Sequence, residues 1–413
     1  MKFAIHWPKR IWSDERGNAL FLVAATLPLL IGSAAAGVDV IQLSLAKRQM
    51  QRTADSGALA GAYALAQKYS VATAVSRDID LNSRVPLNQA PVVQNAPLTG
   101  PYAGDQKAVR VALTAQRSMP FLSFFTQTPT TIAVEATARI VNKGKYCIIA
   151  LEEGDVTGIE FTGNADVNLG CGAVSNSSSS QAVEASGSAR VNASPVAAVG
   201  GVPDSTAYTD GTEIIPHVSK QPDPYADLPV PAPATCAAKV SVQPGESRNL
   251  MPGCYAGMDI KGTLKLAPGT YYVAGGTFSL GSQAHLIGTE VTIILTSTTP
   301  GNPASFAGID INGGAVVELS APTSGTYEGV LFYKDPRAPR SESKVNGNSS
   351  SKMEGAFYFP NDSLTFNGNT GMKSTCIQLV ASRLTFSGNS SLTNDCPAGG
   401  NKGFDAIFVR LVA

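Results

Sequence analysis

The sequence predicts a mainly β protein with a single N-terminal transmembrane helix, a small α+β domain and then a parallel β-helix. The β-helix is expected to be right-handed, only because right-handed parallel β-helices are the commoner kind. A stretch near the N-terminus has no charge, short glycine-containing segments recur at intervals near 20 residues, and the cysteines are spaced by similar intervals. The expected division is a cytoplasmic N-terminus over 1–17, a transmembrane helix over 18–38, a helix continuation with the α+β domain over 39–142, and the β-helix over 143–413.

The composition argues against nucleic acid as a partner. Lys and Arg number 31, Asp and Glu number 31, and charged residues make up 15% of the 413 residues. Such a chain has no broad basic face to neutralise phosphates. Its length leaves room for two or three domains.

Residues 18–38 form the predicted membrane span. They carry no charge, and a helix of this length at about 1.5 Å per residue extends about 31 Å, the thickness of a bilayer's hydrocarbon core. The segment before the span contains four Lys and Arg residues but only two acidic residues. The positive-inside rule therefore predicts a cytoplasmic N-terminus, with the rest of the chain outside. The alternative is a cleaved signal peptide whose cleavage site is Ser33–Ala36.

Residues 39–142 are expected to continue the helix and then to form the small α+β domain. Apolar residues recur at helical spacing from Val40 to Ala62, which indicates a helix that leaves the membrane or, alternatively, an ordinary amphipathic core helix. Alternation of apolar and polar residues over 109–116 and 131–141 predicts two half-buried strands. The phenylalanines of the loop between these strands are expected in the core of the domain: Phe121, Phe124 and Phe125.

Short segments after Tyr146 share one pattern, in which a usually apolar residue stands two positions before a glycine and a usually polar residue three before it. These glycines are Gly163, Gly187, Gly262, Gly281, Gly313, Gly347, Gly368 and Gly388. Intervals of 24, 19, 21 and 20 suit one coil of a parallel solenoid, whereas 32 and 34 indicate inserted loops and 75 an interrupted coil. The alternation predicts strands with one face towards the core and the other towards solvent. Amides that follow four of the glycines are expected to stack as a ladder: Asn164, Asn348, Asn369 and Asn389.

All six cysteines lie beyond the predicted span, which favours disulfides in an extracytoplasmic compartment. Residues one coil apart are separated by about 4.8 Å, within the Cα separation of roughly 4.4–6.8 Å that a disulfide needs. Because the cysteine intervals of 24, 18 and 20 resemble one coil, we expect disulfides between adjacent coils. Coincidence of the intervals is the alternative. The expected pairs are Cys147–Cys171, Cys236–Cys254 and Cys376–Cys396.

Residues 201–235 contain seven prolines and cannot form regular coils. We expect an extended surface excursion that rejoins the solenoid near Cys236. A hinge between two separate solenoid pieces is the alternative.

The N-terminal region contains Asp14–Ala19 (DERGNA), an apolar run with Pro28, Gly37–Asp39 (GVD) and Gln49–Gly61 (QMQRTADSGALAG). With these residues it resembles TadG-like proteins of the tight-adherence (Tad/Flp) pilus assembly system. The resemblance implies a single-pass inner-membrane protein with a pilin-like stalk and a periplasmic or surface-facing C-terminal domain. Such a protein helps to assemble or anchor an adhesive pilus. Its implied partners are the pilus assembly machinery or other envelope proteins.

Two departures limit what carries over from that family. If Gly17 were a pilin cleavage site, the fifth residue after it would be Leu22 instead of the usual glutamate, which argues against prepilin-peptidase processing. The D-x-S-x-S metal motif of the von Willebrand factor A domain, which some TadG-like proteins carry, does not occur in the sequence. No metal site is therefore carried over.

Catalysis is not expected, although parallel β-helices often carry polysaccharide lyases and hydrolases. Glycan cleavage needs paired carboxylates or a cation cluster with a base. The candidates are Glu160 and Glu184, which the register would stack, with Asp259 and Asp310 in equivalent positions. A stacked acidic pair could bind Ca²⁺, but outward charges commonly serve solubility. No catalytic, cofactor-binding or metal-binding residue is predicted.

Two functional hypotheses follow. The first is a non-enzymatic envelope protein whose β-helix contacts other proteins or a surface glycan. The second is an anchored polysaccharide lyase or hydrolase on the same scaffold. A cluster of carboxylates in a cleft would favour the second hypothesis, and isolated acids among ladders of Asn, Ser and Thr would favour the first.

Overall fold

The computed structural model describes residues 18–124, 128–233, 235–346, 348, 350–368, 372–389, 391–394 and 404–412. The chain divides into two compact units, which we call the helical unit (up to Val141, with the residues from Val409 on) and the β unit (Asn142–Phe408). Several positions that the sequence singled out lie outside the described residues: the segment 1–17, Phe125, Gly347, Asn369 and Cys396.

The helical unit combines helices with antiparallel strands. Its elements are α1 (Asn18–Ala66), α2 (Val71–Asn82), β1 (Val92–Asn95), β2 (Ala108–Arg117), a 3-10 helix (Leu122–Phe124) and β3 (Thr130–Ala150), which continues into the β unit. β2 pairs antiparallel with β1 and with β3, in a register that runs from Ala108 opposite Arg139 to Arg117 opposite Thr130. These strands lie where the alternation of the sequence predicted them.

The C-terminal half of α1 forms the core of the helical unit. Small and apolar side chains recur every four residues along one face of α1, and all of them are buried: Ala46, Met50, Ala54, Ala58 and Ala62. They pack with Val75 and Ile79 of α2 and with Val109 of β2. A Cβ atom on Gly61 would lie 2.8 Å from side-chain atoms of both Val75 and Val109, so only glycine permits this close approach.

The β unit is built of strands, β4 to β26, that pair in parallel and are mostly short, followed by β27, which ends in the helical unit. Their bounds are β4 (Ile159–Phe161), β5 (Asp166–Asn168), β6 (Gly172–Ser175), β7 (Val183–Ala185), β8 (Arg190–Asn192), β9 (Val196–Ala198), β10 (Ile214–Ile215), β11 (Val240–Val242), β12 (Ser247–Leu250), β13 (Gly253–Tyr255), β14 (Met258–Ile260), β15 (Thr263–Leu266), β16 (Gly269–Ala274), β17 (Thr277–Leu280), β18 (His285–Gly288), β19 (Val291–Thr296), β20 (Gly308–Ile311), β21 (Val316–Ser320), β22 (Val330–Lys334), β23 (Glu342–Val345), β24 (Lys352–Gly368), β25 (Met372–Gly388), β26 (Ser391–Asn394) and β27 (Phe404–Leu411). The predicted mainly β class, the long N-terminal helix and the large parallel sheet are therefore confirmed.

The strands of the β unit line up in three columns, each made of parallel strands side by side. Column A is β11, β14, β17, β20, β23, the C-terminal parts of β24 and β25, then β4 and β7. Column B is β12, β15, β18, β21, the N-terminal parts of β24 and β25, then β26, β5 and β8. Column C is β13, β16, β19, β22, the middle of β24 and β25, then the end of β3, β6, β9 and β10.

The order of strands in each column is not their order in the chain. β25, near the C-terminal end of the β unit, pairs with β24 on one side and with β4 on the other, so Leu384 lies between Leu364 and Ile159. Strands β4 and β7, which come early in the chain, therefore lie beyond β25, which comes late in the chain, in the same column. The interval of 75 residues between Gly187 and Gly262 was therefore wrongly interpreted as one interrupted coil.

Glycines mark this junction. Gly163 has φ +69°, and a Cβ atom on it would lie 3.1 Å from the backbone nitrogen of Gly388. Gly187 has φ +68°, and its Cβ would lie 3.0 Å from the carbonyl oxygen of Gly163. Both the left-handed backbone and the close backbone approach exclude a side chain at these positions.

Side chains between the columns form one continuous core. In column A the residues on either side of each strand's centre point inward and are buried, for example Ile159 and Phe161 of β4. Aromatic rings stack along this column, with centroids 5.1 Å apart for Phe161 and Phe386 and 5.3 Å apart for Phe386 and Phe366. This alternation of buried and outward residues is the one that the glycine-containing segments predicted.

The proline-rich segment, residues 201–235, crosses column C. Gln221 exchanges backbone-to-amide hydrogen bonds with Asn176 beyond β6, at 2.8 and 2.9 Å. Further along, the Tyr225 hydroxyl bonds to Gln378 of β25 at 2.8 Å, and the carbonyl of Pro231 accepts from Arg337, just past β22, at 2.6 Å. The segment therefore runs from the β6 side of the column towards β13, where Cys236 is bonded to Cys254.

A designed disulfide tests the strand order. Glu160 and Thr385 are register partners on β4 and β25, and neighbouring strands about 4.8 Å apart satisfy the Cα separation of a disulfide. We expect Glu160→Cys/Thr385→Cys to form a crosslink that peptide mass mapping detects without reductant. Glu184→Cys/Thr385→Cys is the control, because Glu184 lies one strand further away. A crosslink in the control and none in the first variant would refute the order.

Candidate functional site

The first half of α1 is apolar and exposed, as expected of a membrane anchor. Within the described residues, one helix, Phe21–Ala66, is long and apolar enough to cross a membrane, with a mean hydropathy of 2.0 in its most apolar window. Phe21 and Leu29 are exposed by 72% and 74%. The structure therefore contains a candidate membrane anchor, and it coincides with the predicted span over 18–38.

The loop after β2 lies against α1 at the end of that span. The Asp39 carboxylate is buried and accepts hydrogen bonds from the backbone N–H groups of Phe121, at 3.1 Å, and of Leu122, at 2.5 Å. These are orphan donors at the start of the 3-10 helix, so Asp39 serves as its cap. The expectation that Phe121 belongs to the core is wrong, because its side chain is 39% exposed.

Column A carries outward polar side chains on every strand, and we call this row the polar column. In the order of pairing its members are Ser241, Asp259, Ser279, Asp310, Lys344, Thr365, Thr385, Glu160 and Glu184. Each is half-buried or exposed, while its neighbours along the strand point into the core. At about 4.8 Å per strand, the polar column is about 38 Å long.

The four acidic candidates all lie in the polar column, but they do not form one cluster. Glu160 and Glu184 are register partners. Asp310 is separated from Glu160 by three intervening strands, which amounts to about 19 Å, and Ser279 stands between Asp310 and Asp259. Over the described ranges, no group of three or more His, Cys, Asp or Glu side chains could hold a metal ion.

Cations stand beside the first of these acids. Lys239 and Lys261 reach the Asp259 carboxylate at 3.8 and 3.7 Å. Such partly exposed pairs contribute little to stability but leave no concentrated negative charge at this end of the column. The arrangement is that of a solvated face, with opposite charges interspersed.

Amide and hydroxyl side chains bond between neighbouring strands. The Asn164 amide donates to Asn389 at 3.0 Å, which is part of the predicted ladder. Asn348 instead donates to the carbonyl oxygen of Gly314 at 3.2 Å. A second amide pair, Asn192 to Asn168 at 3.0 Å, was not anticipated. The two amide–amide bonds join side chains one strand apart, as the stacking argument requires.

Two disulfides join segments that lie side by side at column C. Cys147 on β3 is bonded to Cys171, which precedes β6, with a Cα separation of 5.8 Å. Cys236 is bonded to Cys254 on β13, with a Cα separation of 4.5 Å. Cys376 is also disulfide-bonded. The described residues contain no free cysteine.

Sequence reasoning missed a buried charge cluster at the end of β22. The ammonium of Lys334 lies 2.5 Å from the carboxylate of Asp362, and their side chains are 5% and 0% exposed. Ser341 bonds to both groups, at 2.6 and 2.9 Å, and Ser343 donates to the same carboxylate. No spacing rule reveals this pair, because its members come together only through the pairing of β22 and β23 with β24.

Two further carboxylates hold arginines. Asp335 is buried, accepts from Thr296 at 2.7 Å and pairs with Arg337, which in turn holds the proline-rich segment. Burial raises the pKa of Asp335, but the hydrogen bonds from Arg337 and Thr296 and the charge of Arg337 together outweigh burial and leave the pKa below its usual value. Burial also raises the pKa of Glu152, but the bond from Arg340 at 2.7 Å, the backbone N–H of Gly154 and the charges of Arg340 and Arg383 together leave that pKa lowered.

Tyrosines form the contact between column C and the proline-rich segment. Burial raises the pKa of Asp223, whose carboxylate accepts from the hydroxyl of Tyr358 at 2.9 Å. The ring of Tyr225 packs edge-on against Tyr358, with centroids 5.4 Å apart. The segment is thus held by specific buried contacts.

Comparison with known proteins gives one match. Residues 17–64 match a family model described as putative Flp pilus-assembly TadE/G-like. The match covers the predicted span and most of α1, confirms the resemblance noted in the sequence, and supports involvement in Tad/Flp pilus assembly with partners in pilus assembly or the envelope. No curated protein and no solved structure matches the chain.

Proposed function

We propose that the protein is a membrane-anchored, non-enzymatic envelope component that helps to assemble or anchor a Tad/Flp-type adhesive pilus. The match of residues 17–64 to the Flp pilus-assembly family carries the proposal. The apolar, exposed first half of α1 supports the anchor.

The proposed topology has residues 1–17 in the cytoplasm, 18–38 across the inner membrane, 39–142 as a pilin-like stalk, and 143–413 in the periplasm or facing the cell surface. The basic residues before the span support this orientation. The disulfides support it as well, because they persist in oxidising compartments outside the cytoplasm.

The β unit is interpreted as a right-handed parallel β-helix, with columns A, B and C as its three faces. The pairings of β4 with β7, β5 with β8 and β6 with β9 repeat every third strand, as in a chain that winds with three strands per coil. In this interpretation the disulfides connect adjacent coils, and the proline-rich segment runs along the outside of the helix. A rigid β-helix whose coils are linked by disulfides suits a load-bearing role in the envelope.

The polar column is the proposed contact surface for a protein partner or a surface glycan. Its rows of Ser, Thr and charged side chains offer hydrogen bonds at a regular spacing. The non-enzymatic assignment is supported by the separation of Asp310 from Glu160, and by the lysines that flank Asp259. The stacked pair Glu160 and Glu184 keeps a polysaccharide-active enzyme as the second candidate.

The proposal is tested by recovery of partners from the cell envelope. Tagged full-length protein, solubilised in detergent, is expected to recover Tad/Flp assembly proteins that mass spectrometry identifies. A tagged single-pass protein with an unrelated extracytoplasmic domain is the control bait. A variant with reversed charges in the polar column, Asp310→Lys/Lys344→Glu, is expected to recover less of any partner that binds this surface.

Two results would contradict the proposal. The first is recovery of no pilus assembly protein above the control bait. The second is cleavage of envelope polysaccharide by the purified protein that is lost in Glu160→Gln/Glu184→Gln. The second result would establish the enzyme in place of the scaffold.

A further inference from the structure

An apolar loop lies beside the membrane end of α1. Phe121 and Leu122 are 39% and 44% exposed, and Pro120 and Ser123 next to them are exposed as well. Exposure of large apolar side chains to water at the tip of a loop costs free energy unless something covers them. What covers them depends on where the loop lies along the helix.

Asp39 fixes that position. It is the first residue after the predicted span of 18–38, and its carboxylate binds the backbone of Phe121 and Leu122. The loop is therefore held at the level where the helix leaves the hydrocarbon region. The same bonds satisfy two backbone donors that would otherwise be costly to bring near lipid.

The side chains of Phe121 and Leu122 lie beside the part of α1 that forms the predicted span. A cleft of about 620 Å³ is lined by Phe121 and Leu122 on one side and by α1 from Leu27 to Val40 on the other. Its helical wall includes Pro28, Ile31 and Ala35, all of which belong to the predicted span. Among the described residues that line the cleft, only Asp39 has a charged side chain, and that side chain is engaged with the loop backbone.

We propose that the loop at Phe121–Leu122 inserts into the membrane interface beside α1, with lipid acyl chains filling the cleft. This inference rests on the proposed membrane anchor. Lipid is the favoured occupant because the cleft wall is continuous with the exposed apolar surface of the span, so whatever fills the cleft shares the bilayer with it. The loop would give the helical unit a second membrane contact, which limits its tilt.

Fluorescence quenching tests the insertion. The tryptophans of the sequence, Trp7 and Trp12, are first replaced by phenylalanine, and Phe121→Trp then supplies the only indole. Full-length protein is reconstituted in phosphatidylcholine–phosphatidylglycerol vesicles whose acyl chains are brominated near the headgroup or near the methyl end. We expect a blue-shifted emission that loses more than half of its intensity with headgroup-proximal bromine, and less with the deeper label.

Tyr69→Trp in the same background is the matched control. Tyr69 is also an exposed aromatic residue, at 67%, and lies beyond the far end of α1, about 40 Å from Asp39 at the helical rise. It should not be quenched. Leu122→Trp is a second reporter in case Phe121→Trp perturbs the loop, and Asp39→Ala should weaken the quenching at both positions.

Flotation of the vesicles separates this inference from the proposed anchor. If every variant floats with the vesicles but neither loop reporter is quenched beyond the Tyr69→Trp control, the anchor holds and the loop insertion is wrong. If the reporters are not quenched and Phe121→Cys forms a disulfide between two chains, the cleft belongs to a second copy, which also overturns the inference. Failure to float would refute the anchor itself.

Discussion

Replacement of Lys334 by methionine is expected to lower the free energy of unfolding of the β unit by about 3–5 kcal/mol. The Asp362 carboxylate is fully buried, and Lys334 supplies its neutralising charge at 2.5 Å. Removal of the ammonium leaves an uncompensated charge in the interior, which the hydroxyls of Ser341 and Ser343 only partly stabilise. Urea unfolding of the full chain in detergent, followed by the near-ultraviolet circular dichroism of the buried tyrosines, measures the change.

Two comparisons make this result specific to the pair. Lys334→Met/Asp362→Asn removes both charges and is expected to recover part of the loss, because the carboxamide still bonds to the serines. Lys239→Met breaks the exposed pair with Asp259, whose carboxylate is 28% exposed, and should change stability by less than about 1 kcal/mol. A double variant whose loss equals the sum of the losses in Lys334→Met and Asp362→Asn would show that the two residues do not interact.

Replacement of Phe386 by alanine is expected to destabilise the β unit by about 3–5 kcal/mol. The ring is fully buried between Phe161 and Phe366, so its removal leaves a cavity between two stacked rings. The loss would fall at the junction where β25 meets β4, so it would also loosen the first strands of the β unit from the last ones. The same unfolding measurement applies.

Hydrogen exchange adds a position-specific readout. In Phe386→Ala, backbone amides of β4 should exchange faster, although β4 lies far away in the chain. Thr385→Ala is the control on the same strand, because Thr385 points outward, and it should stay within about 0.5 kcal/mol of the parent. A loss below about 1 kcal/mol in Phe386→Ala would mean that this junction is not packed as described.

The sequence predicted the local structure of the β unit well. The apolar residue two positions before each glycine is buried at Phe161, Ile260, Ile311, Phe366 and Phe386, and the residue before it lies in the outward polar column. This pattern follows from the alternation of side chains in a strand, which is a property of the local chain alone. The interval between Cys147 and Cys171 was informative for a similar reason, since these cysteines are only 24 residues apart in the chain and lie where β3 pairs with β6.

Long-range relations were not predicted. Nothing in the sequence indicated that β4 lies beside β25, that the proline-rich segment crosses column C, or that Lys334 meets Asp362. Phe121 was expected in the core because it is apolar, but the Asp39 bond that holds its loop at the helix is a contact across 82 residues.

The sequence alone determined that the chain has an apolar helix of membrane length, that strands of period two follow it, and which of their residues face inward. The tertiary structure decided which strand lies beside which. The physical reason is that every short strand of a column offers its neighbours nearly the same surface, apolar inside and polar outside, with the same backbone hydrogen bonds. Such strands are almost interchangeable by local chemistry, so their order is set by packing across the whole unit: the stacked rings, the opposed glycines and the buried charges that fit in only one arrangement.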